Sequence, residues 1–370
     1  MNNNLKKQLK LYQIIIILYF ICHGSLCGIG SKTIFSLAYE DAWIIPIVIA
    51  IIGLIPFSIT LYIVEKYPNK NIFEIIEYQF GKIIGKIINS ILILFVCSYV
   101  IIFYWNFTNF ISSQYLYNTP QTFITILFII PIIYLLSKGI KIVLRSSIVI
   151  FIMTFTFYII AATGLIPQIH VENIYPILAE GIGQPLKAVF TGVGYLVLPT
   201  LLITCISKDS YVDTNNFKKR LIIAYFIVFL TIEIMIFTTL AIFGVELVTL
   251  YQYPEFQILR RVTIGGFIER VESTLSIHWI LDLFMMIVFG CYFIKTGLIK
   301  VFNIKKQKID KFILNPIIVF LILTSLKIFS NNVIASEFLI EKYPIFCYIF
   351  FLGISILIFI TSKIKKKHST

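Results

Sequence analysis

Ten blocks of apolar residues, each long enough to cross a membrane, constrain the fold of this chain more than any other feature. A helix needs about 20 mostly apolar residues to cross the hydrocarbon core of a bilayer. We number the predicted spans 1 to 10, and they cover residues 11–30, 42–64, 87–110, 121–137, 142–166, 186–206, 221–243, 274–298, 313–329 and 343–362. The sequence therefore predicts an all-α integral membrane protein with ten transmembrane helices.

Composition supports this class and argues against three others. Hydrophobic residues make up 59% of the 370-residue chain, and charged residues make up 13%. In soluble domains about 45–50% of the residues are apolar and about 25% are charged. A soluble enzyme, a nucleic-acid-binding protein and a disordered scaffold all fit poorly. The net charge of +13 is therefore evidence about the orientation of the chain in the lipid bilayer and not evidence of DNA binding.

The distribution of basic residues predicts the orientation of the spans. With the N-terminus in the cytoplasm, 24 of the 31 Lys and Arg residues fall on the cytoplasmic side and seven fall outside. This bias is what the positive-inside rule requires. With an odd number of spans, the basic loops would no longer alternate onto one side of the membrane. We therefore expect both termini to be cytoplasmic.

The predicted spans form one transmembrane domain over residues 1–370. It divides into a first repeat at about 11–166, an outer loop at 167–185, a second repeat at about 186–362 and a basic cytoplasmic tail at 363–370. Residues 71–86 have an apolar face and predict a short interfacial helix on the cytoplasmic side. The outer loop at 244–273 has apolar periodicity of its own and predicts another short helix.

Glycine and proline interrupt two of the spans. Span 1 ends in HGSLCGIGSK, and span 6 contains TGVGYLVLP. One interpretation is that small residues permit close helix packing, since Gly24 and Gly28 form a G-x-x-x-G pair. The other rests on position, because these are the first spans of the two repeats. Matching interruptions of this kind predict an inverted-repeat transporter fold with a binding site near the membrane midplane.

The interrupted helices suggest the chemistry of a ligand. A half-helix N-terminus offers free N–H groups and a positive dipole end to a carboxylate, while unwound carbonyl groups can hold an ammonium group. An amino acid presents both charges. Span 3 adds Tyr99 and Asn106 at helical spacing, although such a stripe is more often packing than pocket. The candidate ligand-binding residues are Gly28, Gly30, Tyr99, Asn106, Gly194, Tyr195, Leu198 and Pro199.

Two acidic residues remain inside predicted spans, Glu233 in span 7 and Asp282 in span 8. A carboxylate at mid-bilayer costs at least about 2.5–3.5 kcal/mol, so it usually faces the bundle interior. Each is either a coupling or ligand-binding carboxylate or a protonated acid hydrogen-bonded to a neighbouring helix, and water could reach Asp282. His23 is expected to be a hydrogen-bonded interior histidine. We find no metal motif, no cofactor motif and no catalytic motif, so no enzymatic activity is expected.

Four motifs resemble one known family. They are GIG at Gly28–Gly30 followed by DAWI at Asp41–Ile44, YPNKNIFEII…FGKIIGKII at Tyr67–Ile88, AEGIGQPL at Ala179–Leu186, and FQILRRVTIGGFIERVES at Phe256–Ser273. The chain resembles the spore germination permease family, the B subunits of GerA-type nutrient germinant receptors within the amino acid–polyamine–organocation transporter superfamily. The resemblance implies a LeuT-like 5+5 inverted repeat with broken helices 1 and 6. It also implies a bacterial spore inner membrane, a membrane-embedded A subunit and a lipoprotein C subunit.

The chain departs from the family pattern in the expected pocket. It reads Thr33–Ile34–Phe35 where the family has a leucine–proline pair, and the family's glycine and acid late in span 6 are not evident in Leu196–Thr204. Ligand identity is therefore not carried over. The outer-loop motif, with Glu269, Arg270 and Glu272, is either a solvated surface helix or a lid or partner contact, and the resemblance favours the second.

Two functions from different classes remain open. In the first, the chain is a receptor subunit that binds a small nutrient, best matched by an amino acid, and signals through partner subunits. In the second, it is a self-sufficient proton-coupled amino acid transporter. Both use one fold, and fold alone does not decide function. Adjacent A- and C-subunit reading frames would favour the receptor.

Overall fold

The structure, a computed structural model, describes residues 9–179, 181–262, 272–304, 315–329 and 331–367. Over these ranges the chain is helical with short connections, and the only extended pairing is a single bridge between Leu9 and Tyr211. The expectation of an all-α protein is confirmed. Nine helical stretches in the described ranges are long and apolar enough to cross a membrane.

The helices match the predicted spans in order, but span 1 continues to Ala38 and span 10 begins at Asn332, well beyond the predicted bounds. Span 1 consists of Leu11–Ser25 and Ser31–Ala38, joined by the π-helical turn Leu26–Gly30. The other spans are Ile45–Lys66, Lys82–Gln114, Gln121–Lys138, Ile140–Leu165, Gly183–Cys205, Phe217–Leu250, Ile277–Val301, Asn315–Lys327 and Asn332–Ile364. In the described part of the chain, span 9, at Asn315–Lys327, is shorter than the other spans.

Spans 1 and 6 occupy the centre of the bundle. In the most apolar 18-residue stretch of span 1 and of span 6, 94% of the residues are buried inside the protein. The corresponding shares are 33% in span 4 and 22% in span 5. Apolar side chains on the outer spans face away from the protein, as Ile55 and Leu94 do with exposed fractions of 68% and 70%. The two interrupted helices are therefore shielded from lipid, which is where irregular backbone can be tolerated in a membrane.

A short helix at Ile72–Phe80 connects spans 2 and 3. Asn71 caps it by accepting a hydrogen bond from the Glu74 N–H, and the Glu74 carboxylate accepts one from the Asn71 N–H. Gly81, at φ 81°, ends this helix, and span 3 begins at Lys82. The predicted short helix is present. Its expected last residues, 82–86, belong instead to span 3.

The outer connection between spans 7 and 8 also contains a short helix, Pro254–Leu259, as the apolar periodicity predicted. Its proline lies in the first turn, where a missing N–H costs nothing. Residues Glu269 and Arg270 of the outer-loop motif lie outside the described residues. Glu272 begins the short helix Glu272–Leu275, which leads into span 8.

Candidate ligand site at the break in span 1

Span 1 loses its helical conformation at two residues in the middle of the bundle. Cys27 has φ −55° and ψ 115°, and Gly28 has φ 75° and ψ −55°. A positive φ is readily adopted only by glycine, so the predicted break depends on Gly28 itself. Gly30 has ordinary helical angles, φ −65° and ψ −47°, and immediately precedes the outer half-helix Ser31–Ala38.

Two buried side chains bond the backbone groups released by this break. The Asn106 side-chain amide donates a hydrogen bond to the Cys27 carbonyl oxygen at 2.8 Å. The Gly28 N–H donates one to Glu255 Oε1 at 2.5 Å. Asn106 and Glu255 are each 1% exposed. Span 3 and the short outer helix therefore hold the break from two sides.

The side chains around Gly28 leave no room for a larger residue. A Cβ atom built at Gly28 would lie 2.7 Å from Tyr253 Cε1 and 2.8 Å from Asn106 Oδ1. The Tyr253 hydroxyl accepts a hydrogen bond from the Asn109 side-chain amide at 2.8 Å, which fixes the ring. The Gly28 backbone is therefore enclosed by span 3 and the outer connection.

A narrow crevice reaches this break from the predicted outer ends of spans 1, 3 and 10. Its cavity volume is about 10 Å³, room for roughly one water molecule, so the side chains around it must move before a larger molecule can enter. Within it, the Lys32 ammonium group donates hydrogen bonds to the carbonyl oxygens of Thr249 at 2.7 Å and Tyr251 at 2.9 Å. The crevice is lined by Gly28, Lys32, Trp105, Gln252, Ser336 and Leu339, among others.

Glu255 is a site residue that the sequence analysis missed. The outer-loop motif begins only at Phe256, and Glu233 and Asp282 are the acids that fall inside the predicted spans. Burial raises the pKa of the Glu255 carboxyl, while the Ser31 hydroxyl, the Gly28 N–H and the Lys32 ammonium act in the opposite direction. The Pro254–Glu255 pair marks a helix start in the sequence, but it carries no signal of burial.

Tyr99 lies next to the inner half of span 1. Its hydroxyl is 2.8 Å from Ser25 Oγ and donates a hydrogen bond to Met286 Sδ at 3.2 Å. Ser25 is the last residue of the inner half-helix, two residues before the break. The structure thus brings Gly28, Asn106 and Tyr99 together around one segment, with Gly30 next to it.

Span 6 changes its winding where the sequence predicted an interruption. A π-helical turn at Val193–Val197 is followed by a 3₁₀ helix at Leu198–Cys205, and Pro199 lies in the first turn of the latter. Proline removes a backbone donor, which disfavours continued α-helix. The Leu196 carbonyl accepts a hydrogen bond from the Cys22 thiol at 3.2 Å. This interruption is confirmed, but it consists of altered helical winding rather than an extended segment.

The remaining predicted residues of span 6 are buried behind the crevice wall and do not line it. The Tyr195 hydroxyl donates a hydrogen bond to the Leu339 carbonyl at 2.5 Å, and Leu198 and Pro199 are buried. A Cβ atom at Gly194 would lie 3.4 Å from Pro344 Cβ, so this glycine faces span 10.

Asp282 and His23 form a buried pair inside the bundle. Asp282 Oδ2 lies 3.8 Å from His23 Nδ1, and their side chains are 0% and 1% exposed. His23 Nε2 is 2.8 Å from Thr231 Oγ1, as expected for a hydrogen-bonded interior histidine. Within the described ranges, neither carboxylate oxygen of Asp282 accepts a hydrogen bond of ordinary geometry. The sequence did not suggest this pair because the two residues lie in distant spans.

Glu233 is not part of either group. It is half-buried on span 7, next to the exposed residues Leu230 and Ile234. In the part of the chain that the structure describes, no three or more His, Cys, Asp or Glu side chains come together in a way that could hold a metal ion.

Comparison with known proteins places the chain in context. The family described as "Spore germination protein" matches residues 8–333. Spore germination protein KB of Bacillus subtilis (strain 168) is 24% identical over 275 residues, which is 73% of each chain. Spore germination protein A2 of the same organism is 27% identical over 274 residues, 72% of this chain and 73% of that protein.

Solved structures give the fold. A mutant of the Eremococcus coleocola manganese transporter is 11% identical, with a TM-score of 0.59, and the match covers 96% of this chain and 82% of that one. At this identity the likeness concerns the fold alone. It confirms the LeuT-like 5+5 arrangement with broken helices 1 and 6.

Proposed function

The chain belongs to the spore germination protein family and is a multi-pass membrane protein, and from that premise we propose that it is the B subunit of a nutrient germinant receptor. In this proposal a small nutrient of the amino acid class binds at the break in span 1. The observation that carries it is the break itself, where Cys27 and Gly28 leave the helical conformation inside the bundle. Binding changes the shape of the bundle, and partner subunits detect the change.

The chemistry of the break matches both charges of an amino acid. The Gly28 N–H and the positive end of the helix dipole at Ser31–Ala38 suit a carboxylate. The Cys27 carbonyl and the Asn106 side-chain oxygen suit an ammonium group. Because Gly28 has no side chain, the ligand can approach the backbone directly.

The proposed setting is the inner membrane of a bacterial endospore, with both termini in the cytoplasm. Family resemblance supports partnership with a membrane-embedded A subunit and a lipoprotein C subunit. The outer-loop motif that contains Glu269, Arg270 and Glu272 is proposed as a lid or a partner contact.

A tryptophan substitution in the crevice tests the proposal. Ser336→Trp places a large side chain in the crevice wall, so it should abolish the germination response and amino acid binding at normal membrane abundance. The matched control is Val333→Trp, three residues earlier on the same helix, where the side chain is 76% exposed. A normal response and normal binding in Ser336→Trp would overturn the site assignment.

A second candidate is a self-sufficient amino acid transporter coupled to protons. The buried pair of Asp282 and His23 favours it, because a carboxylate next to a histidine can take up and release a proton. A receptor needs only a ligand that prefers one of two states, whereas a transporter must also complete a cycle. Uptake of labelled amino acids into proteoliposomes that contain only this chain, driven by a pH gradient and lost in Asp282→Asn, would favour the transporter.

A further inference from the structure

The backbone donor proposed for the ligand's carboxylate is already bonded to a carboxylate of the protein itself. Glu255 Oε1 accepts the Gly28 N–H at 2.5 Å, across 227 residues of sequence. Among the residues that the structure describes, none donates a hydrogen bond of ordinary geometry to the second oxygen, Oε2. This carboxyl group is 1% exposed, and its bond from the Gly28 N–H ties it to the break, with the Ser31 hydroxyl and the Lys32 ammonium group as further favourable neighbours.

A purely structural role does not explain the choice of residue. Capping the Gly28 N–H requires only an oxygen acceptor, and a glutamine side chain would supply one without burying an ionisable group. Burying a carboxylate is costly unless it is fully paired. The Lys32 ammonium group donates its hydrogen bonds to two backbone carbonyls and not to this carboxyl group. Glu255 is therefore a buried ionisable group where a neutral acceptor would suffice for capping.

We propose that Glu255 competes with the ligand's carboxylate for the Gly28 N–H. This inference rests on the proposed function, and it adds that the ligand-free state is held closed by an internal carboxylate. A ligand carboxylate can bind to Gly28 only when the Glu255 side chain leaves, and the freed Glu255 is then available to the ligand's ammonium group.

The position of Glu255 links this exchange to the outer loop. Glu255 lies in the first turn of the helix Pro254–Leu259, next to Tyr253, whose ring covers Gly28. The first four residues of the outer-loop motif, Phe256–Leu259, belong to this helix. Displacing Glu255 therefore displaces the start of the outer-loop segment that the family resemblance singles out.

The test uses a ligand fragment that has only the competing group. Propionate and its neutral counterpart propionamide are titrated at neutral pH into the full-length chain purified in detergent, with tryptophan fluorescence as the readout, since Trp105 lines the crevice. If Glu255 occupies the donor about nine-tenths of the time, removing it raises the apparent affinity about tenfold. Glu255→Ala should therefore bind propionate about tenfold more tightly than the wild type, while propionamide, whose neutral oxygen is a weaker acceptor for the same N–H, should gain less.

Two further variants make the result decisive. Glu255→Gln keeps a neutral acceptor of the same shape, so it should show a smaller gain for propionate, and it decides the question if Glu255→Ala does not fold. Glu246→Gln, an exposed acid at the outer end of span 7, is the matched control and should leave propionate binding unchanged.

The possible failures of the two proposals differ. If both Glu255 variants bind propionate no more tightly than the wild type, while the wild type still binds amino acids, the proposed competition is wrong. The proposed ligand site would still stand. A wild-type chain that binds none of the twenty amino acids, and no propionate in any variant, would overturn the proposed function and this inference with it.

Discussion

Replacing Gly28 with alanine tests the geometry of the break most directly, because the added methyl group causes both backbone strain and steric overlap. The backbone at φ 75° and ψ −55° is unfavourable for any residue with a Cβ atom. Holding a non-glycine residue in a sparsely populated region of this kind costs about 1–3 kcal/mol. The added Cβ would also lie 2.7 Å from Tyr253 Cε1 and 2.8 Å from Asn106 Oδ1, both closer than ordinary contact.

Neither neighbour can move away freely. The Tyr253 hydroxyl is bonded to Asn109, and Asn106 holds the Cys27 carbonyl. Overpacking a filled interior costs about 1–3 kcal/mol. Together with the backbone strain we expect Gly28→Ala to lower the free energy of unfolding by about 2–6 kcal/mol.

The measurement is thermal or denaturant unfolding of the detergent-purified protein, with size-exclusion chromatography as a check on folding. Gly194→Ala is the control, since its Cβ would make an ordinary 3.4 Å contact with Pro344. Replacing a helical glycine with alanine gains roughly 0.5–1 kcal/mol, so the control should be neutral or slightly more stable. Equal stabilities of the two variants would refute the described conformation of the break.

Three further predictions concern other parts of the molecule. Reporter fusions should score outside at Gln168 and cytoplasmic at Lys306 and the C-terminus; a cytoplasmic score at Gln168 would remove the ten-span topology. Lys32→Met should lower the free energy of unfolding by about 1–2 kcal/mol, because hydrogen bonds from a charged group to two carbonyls are lost; an unchanged unfolding curve would contradict those bonds. Glu233→Gln should keep or improve stability by removing a burial cost, with amino acid binding unchanged because Glu233 lies away from the crevice; weaker binding at full abundance would place it in the site.

The sequence by itself determined the features that depend on local pattern. Apolar blocks and basic loops predicted ten spans and their orientation, because both follow from transfer of short segments into lipid. The glycines of span 1 predicted its break, since the conformation at Gly28 is open to glycine alone. The helix at Ile72–Phe80 was predicted from its apolar face.

Only the tertiary structure decided which side chains meet at the break. Glu255 reaches Gly28 across 227 residues of sequence, and Asp282 meets His23 from a distant span. Gly194 was expected to line the pocket with Gly28, yet it faces span 10. Helical periodicity gives the relative directions of side chains on one span, but the rotation of that span about its axis is set by packing against its neighbours. In a chain that is apolar on every face, the sequence contains little information about that rotation, so the partners of each buried polar group emerge only when the helices are assembled.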